Sequence, residues 1–134
     1  MPHEFSRTEM LIGRDGLDRL HQAKVAIFGI GGVGSFVAEG LTRAGVGRFV
    51  LIDDDCICIT NINRQLHATR ETIGIPKVEA MKARILSINP QAVLVDITHD
   101  IAPQDVRQGA LVLEDVTPRF PERSIHVAIV DPGV

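Results

Sequence analysis

Four glycines, one aspartate and a cluster of amide and basic side chains stand at spacings that suit phosphate chemistry. Gly29, Gly31, Gly32 and Gly34 lie in AIFGIGGVGSF (26–36), a G-x-G-G-x-G turn between an apolar run and an amphipathic one. Glycine permits a tight turn and lets backbone approach an anion. A helix starting behind the turn adds free N–H groups and the positive end of its dipole. Asp53, 19 residues after Gly34, closes the second apolar run, where its carboxylate can accept hydrogen bonds from ribose hydroxyls. A glycine turn kept only for helix–strand packing is the plainer alternative, but its pairing with Asp53 favours nucleotide binding. NAD and ATP both fit this pair, which leaves the choice open.

The next polar residues bear on that choice. Asn61, Arg64 and Gln65 lie in DDDCICITNINRQLH (53–67), and Lys77 in GIPKVEAMKARILSINP (74–90). A dehydrogenase has no obvious use for this set. An enzyme that attacks the α-phosphate of ATP with a carboxylate does, because it must hold a triphosphate and neutralise charge that migrates onto departing pyrophosphate. Arg64 can bind phosphate through two N–H groups, while Lys77 offers a mobile point charge. Singly, each would be read as a solvated surface charge; behind a glycine turn, together, they point to ATP.

The remaining candidates carry less. Cys56 and Cys58 are spaced C-x-C with no second pair to complete a zinc site, and are expected to be structural or incidental thiols. The Asp53-Asp54-Asp55 run could hold a metal, although Asp54 and Asp55 are expected to be solvated turn residues. His67 is expected to end or pack a short helix.

Positioning these residues requires alternating strands and helices. Residues 8–21 predict a short helix, a turn and a second helical turn. KVAIFGI (24–30) and FVLID (49–53) are continuous apolar runs of the kind found in strands buried on both faces. Between them, apolar residues recur at helical spacing from Val33 to Ala44, and Gly45 and Gly47 stop the helix. Pro76 can open a helix whose stripe is Val78, Met81, Ile85 and Ile88, ended by Asn89-Pro90. AVLVDI (92–97), a helix from Pro103 to about Val116, and SIHVAIVD (124–131) complete the pattern. Such alternation implies right-handed crossovers, and so an α/β fold: a Rossmann-like, doubly wound parallel sheet of about four strands.

Composition agrees with one domain, residues 1–134. The chain is 45% apolar and carries a formal charge of −3, which argues against a general nucleic-acid coat. Two closely spaced cysteines argue against a disulfide framework and suit reduced cytosolic thiols. No apolar run nears the roughly 20 residues that span a bilayer. The start, MPHEFSRTEM, lacks signal-peptide character, so a cytoplasmic location is expected. The last strand has no helix after it to cover it, and the chain is expected to be a fragment.

LIDDDCICITNINRQ, with GIGGVGS before it and G-x-P-K-V-E after it, resembles the ThiF/MoeB adenylating family, related to ubiquitin-activating enzymes. EFSRTEMLIGRDGLDRL and NINRQLHA are most similar to its tRNA threonylcarbamoyladenosine dehydratase branch. The resemblance covers about residues 4–92. It implies that Asp53 holds the ribose, while Asn61, Arg64, Gln65 and Lys77 surround the triphosphate and Mg²⁺. It further implies a homodimer in which Arg7, in FSRTE, reaches the partner's nucleotide site, and a modified tRNA as acceptor.

Residues 85–134 resemble a second family, the S-adenosylmethionine hydroxide adenosyltransferases, relatives of the chlorinases and fluorinases. The runs VDITHDIAPQDVRQGA and IHVAIVDPGV carry that likeness, which places a join between Arg84 and Val93. The expectation is a chimera: residues 1–92 of ThiF type, and 93–134 a grafted strand–helix–strand. Asp131 would then end the fourth strand on the same edge as Asp53, where the first family keeps a metal-binding acid; capping the following turn is its plainer role. His99 and His126 belong to this segment and are expected to be structural. The reading is an ATP- and Mg²⁺-binding adenylating domain that binds nucleotide but turns over little. Its rivals are a nucleotide-binding chimera without turnover, an S-adenosylmethionine-dependent fragment and an NAD module.

Overall fold

The computed structural model describes residues 1–96, 105–120 and 125–128. Its elements run α1 (Ser6–Gln22), β1 (Lys24–Phe28), α2 (Gly34–Ala44), β2 (Arg48–Ile52), α3 (Lys77–Ile88), β3 (Val93–Asp96), α4 (Val106–Val116) and β4 (Ile125–Ala128). Each expected strand is present, and β1 ends at Phe28, where the glycine turn begins. The four strands form one parallel sheet in the order β3-β2-β1-β4. The order reverses beside β1, and in open α/β sheets ligands bind outside the carboxyl ends of strands at such a switch point.

Period-2 alternation sorts the strand residues onto two faces. Val25, Ile27, Phe49 and Leu51 pack with Val78, Met81 and Ile85 of α3 and Ala38 of α2. Ala26, Phe28, Val50 and Ile52 form the opposite face, packed by Leu113 of α4 and by Phe120. Both faces therefore carry helices, as a doubly wound sheet requires. Glu39 of α2, buried, binds Arg84 of α3 through both carboxylate oxygens (2.8 and 3.0 Å) and Arg43 at 2.7 Å, locking the two helices together. These guanidinium hydrogen bonds, opposed by burial, hold its carboxyl below the usual carboxylate range.

α1 is kinked at Gly13, whose φ of 74° lies in the left-handed region; this is the expected turn between two helical segments. Its second half returns to the sheet through Leu17 and His21, which meet Gly45 and Gly47 just ahead of β2. Gly45, at φ 108°, closes α2 as expected. A Cβ on Gly47 would lie 2.0 Å from the His21 carbonyl oxygen, so only glycine fits that crossing. Asp131 and His99 lie outside the described residues, as does the side chain of His126.

Candidate nucleotide site

Parallel register sets Phe28 beside Ile52, so the residues that follow, Gly29 and Asp53, leave the sheet at the same level. Gly29 turns at φ 89° and donates its N–H to the Ile52 carbonyl at 2.8 Å. Ile30 N–H donates to Asp53 Oδ2 at 2.6 Å, and Asp55 N–H donates to Asp53 Oδ1 at 3.0 Å. Asp53 is thus fixed by backbone on both sides, with a further lone pair on each oxygen for a ribose hydroxyl. The turn runs straight into α2. Among the described residues no side chain caps that helix; Ser35 N–H turns back to the Gly31 carbonyl at 3.0 Å, and the positive end of the helix dipole faces the turn.

The segment after Asp53 folds back over the glycine turn. Cys58 starts a short 3-10 turn (Ile59–Asn61), and its N–H donates to Asn61 Oδ1 at 3.0 Å. Ser35, in the first turn of α2, accepts from Leu66 N–H at 3.2 Å and so anchors the loop. Gly31 faces the Gln65 amide and Gly32 the Arg64 stem: Cβ atoms built there would lie 3.9 Å from Gln65 Nε2 and 3.5 Å from Arg64 Cγ. Arg64 is exposed, with Nη1 donating to the Thr60 carbonyl at 2.9 Å and to Asn63 Oδ1 at 3.1 Å. Gln65 and His67 are buried, and Gln65 Oε1 and both His67 ring nitrogens lack a partner among the described residues. Burial, assisted by the Lys77 charge, pushes His67 down to about 4.

Two expectations need correction. Lys77 is not a mobile point charge but a held one: its side chain is 7% exposed, it donates to Asp55 Oδ2, and it sits 3.7 Å from Asp53 Oδ1. Asp55 is therefore ion-paired, not simply a solvated turn residue. Asp54 is half-buried, and desolvation raises its carboxyl above the usual range. Cys56 and Cys58 are free and exposed, and the Thr60 hydroxyl beside Cys58 Sγ (3.0 Å) lowers that thiol. His67, expected to end or pack a short helix, lies buried in the loop after the 3-10 turn.

The structure gathers Gly29, Gly31, Gly32, Gly34, Asp53, Asn61, Arg64, Gln65 and Lys77 at one end of the sheet. Arg7 it does not bring there. Arg7 is exposed in the first turn of α1, next to Phe5, which packs near Gly45 at the opposite end. Sequence reasoning weighed Asp55 only as part of a metal-binding run or as a solvated turn residue, missing its tie to Lys77, and missed the Ile30 amide. The D-x-D spacing was a visible signal for the first, whereas the second is a backbone group that no residue type marks.

A family comparison settles the class of this arrangement: the ThiF family model matches residues 5–117. The chain belongs to the ThiF family. That match crosses the join proposed between Arg84 and Val93 and runs through α4, so the family extends beyond the boundary read from the sequence. The chain is 56% identical over 95 residues to tRNA threonylcarbamoyladenosine dehydratase of Bacillus subtilis (strain 168), covering 71% of this chain and 37% of that protein. Among solved structures it resembles the E. coli dehydratase TcdA in complex with ATP, with a TM-score of 0.71 and 42% identity over 81% of this chain and 45% of TcdA. It also resembles E. coli MccB with succinimide, with a TM-score of 0.77 and 30% identity over 98% of this chain and 38% of MccB. It thus spans less than half the length of each of these proteins.

Proposed function

We propose that this ThiF-family domain binds Mg·ATP at the carboxyl ends of β1 and β2 and supports carboxylate adenylation of the tRNA threonylcarbamoyladenosine dehydratase type. The observation that carries the reading is that Arg64 and Gln65 lie against a glycine turn tied to Asp53, while Lys77 sits beside that same aspartate. A dinucleotide site needs the turn and the acid; the added cation, guanidinium and amide suit a triphosphate.

In this reading Asp53 accepts from the ribose hydroxyls that ATP and AMP share. The α2 N-terminus and the backbone of Gly31 and Gly32 hold phosphate oxygens. Arg64, now resting on Thr60 and Asn63, and Asn61 and Gln65 bind the outer phosphates, with the orphaned Gln65 Oε1 finding a partner through water or ligand. Lys77 offsets charge as pyrophosphate leaves. A carboxylate of the modified tRNA attacks the α-phosphorus, forming a P–O bond as the bond to pyrophosphate breaks. Intramolecular attack on the acyl adenylate then expels AMP, with net loss of water from the tRNA. The carboxylate oxygens of Asp53, Asp54 and Asp55 lie within 4.8 Å of one another; because Lys77 already holds Asp55, Asp53 and Asp54 are the two of this run left for a hard cation. When bound, Mg²⁺ supplies charge compensation for the triphosphate. Asp131 remains a second candidate ligand on sequence grounds alone. The reading takes residues 1–134 as one nucleotide-binding domain and includes the homodimer that the ThiF resemblance implies, in which Arg7 serves the second copy's nucleotide site; its exposure far from its own site is compatible with that role. Among the described residues no helix is long and apolar enough to cross a membrane, and a cytoplasmic location is part of the proposal. Residues 93–134 as a graft from the adenosyltransferases stays a proposal about ancestry and adds no activity.

The test is a calorimetric titration of the chain with Mg·ATP, NAD and S-adenosylmethionine. Binding of Mg·ATP in preference to the other two is expected; preference for either of those overturns the reading.

A further inference from the structure

Asp55 lies two residues beyond the strand-tip carboxylate and is half exposed (50%), whereas its partner Lys77 is buried. The two are joined twice. Lys77 N–H donates to the Asp55 carbonyl at 2.9 Å, and Lys77 Nζ donates to the Asp55 carboxylate. The backbone bond continues as an antiparallel clasp: Cys56 bridges Pro76, Ile57 N–H donates to the Ile75 carbonyl at 2.9 Å, and Gly74 N–H donates to the Ile57 carbonyl at 2.8 Å. This clasp brings the Lys77 backbone to the end of β2 without help from any side chain.

Where the ammonium then points is a separate matter. Lysine ends a flexible four-carbon stem with three rotatable donors, and a buried ammonium left unpaired is costly. Asp53 cannot fix it. Its nearer oxygen is 3.7 Å from Nζ, beyond hydrogen-bond distance. Among the described residues, Asp55 is the group that holds Nζ by a hydrogen bond.

We propose that Asp55 is the positioning residue for Lys77, its carboxylate holding the ammonium beside Asp53 so that it meets the phosphates beyond the α-phosphate. The proposal rests on the Mg·ATP reading above. A contrary arrangement has Asp55 only occupying Lys77 until phosphate displaces it. Removing the carboxylate would then strengthen ATP binding, and the lost negative charge near a triphosphate pushes the same way. The two arrangements therefore predict opposite signs.

The experiment titrates ATP and AMP, with Mg²⁺, into the full chain and into Asp55→Asn, Asp55→Glu and Lys77→Ala. Loss of one well-aligned charge-assisted bond to phosphate corresponds to about tenfold. Asp55→Asn is expected to lower ATP affinity by about that factor while AMP stays within about twofold, and Asp55→Glu is expected to recover most of the loss. Retained AMP binding shows that the variant still folds. Unchanged or tighter ATP binding in Asp55→Asn, with Lys77→Ala still weakened, overturns the proposal and leaves the ATP reading standing. Equal loss of ATP and AMP makes Asp55 a structural tie and also overturns it. A wild-type chain that does not bind ATP more tightly than AMP overturns both.

Discussion

Replacing Gly32 by alanine separates anion binding from folding. Gly32 does not have a positive φ, and a Cβ there would meet Arg64 atoms at 3.5 to 3.7 Å, ordinary van der Waals distance. The folded chain therefore has room for the methyl group. A compatible Gly→Ala change also restricts the unfolded chain, which contributes about 0.4–1 kcal/mol of stability. Stability should hold or rise slightly. A phosphate held by the turn meets the new methyl where it needs bare backbone. Losing one charge-assisted hydrogen bond to an N–H costs about 1.5–3 kcal/mol, or roughly 10- to 150-fold in affinity at about 1.4 kcal/mol per decade. Urea unfolding of the ligand-free protein gives the first quantity and calorimetric titration with Mg·ATP the second. Gly47→Ala serves as the contrast, because its Cβ would collide with the His21 carbonyl at 2.0 Å; it should cost about 1–3 kcal/mol through overpacking. If Gly32→Ala binds ATP like the wild type, the turn is not the phosphate cradle. If it unfolds, the packing argument is wrong.

Other expectations follow from the same geometry. Asp53→Ala should weaken ATP and AMP alike, since ribose is common to both, while Lys77→Ala should weaken ATP more than AMP; parallel titrations check each. His67 is driven towards its neutral form in the fold, from an ordinary value near 6.5 to about 4. The unfolded chain takes up that proton first, so stability is full above pH 6.5 and falls as pH drops from there to about 4; His67→Gln should flatten this limb in a series of urea midpoints. Glu39, held below the usual carboxylate range by Arg84 and Arg43, contributes stability above that range that is lost as acid protonates it in the fold. Glu39→Gln should lower the neutral-pH midpoint and shrink its acid dependence. A dimer is expected by light scattering at tens of micromolar, and a monomer there would remove the role assigned to Arg7.

Much of the nucleotide site was legible in the sequence because its parts are local. Gly29 to Gly34 read as a phosphate turn from residue type alone, since only glycine offers bare backbone there and, at Gly29, a positive φ, and the apolar runs around Ile27 and Leu51 announced buried strands. Helix periodicity from Val78 to Ile85 likewise marked the face that α3 buries. What lay beyond reach were relations between distant residues. That Ile30 N–H binds Asp53, that Gln65 and Arg64 rest on Gly31 and Gly32, and that Lys77 is buried against Asp55 all depend on strand register and on the 55–57 to 74–77 clasp, not on spacing along the chain. A lysine reads as a mobile surface charge until the fold buries its stem. The sequence alone determined which groups could bind a phosphate. The tertiary structure decided which of them are already held in place, because burial and backbone hydrogen bonds, not residue type, set where a side chain is free to move.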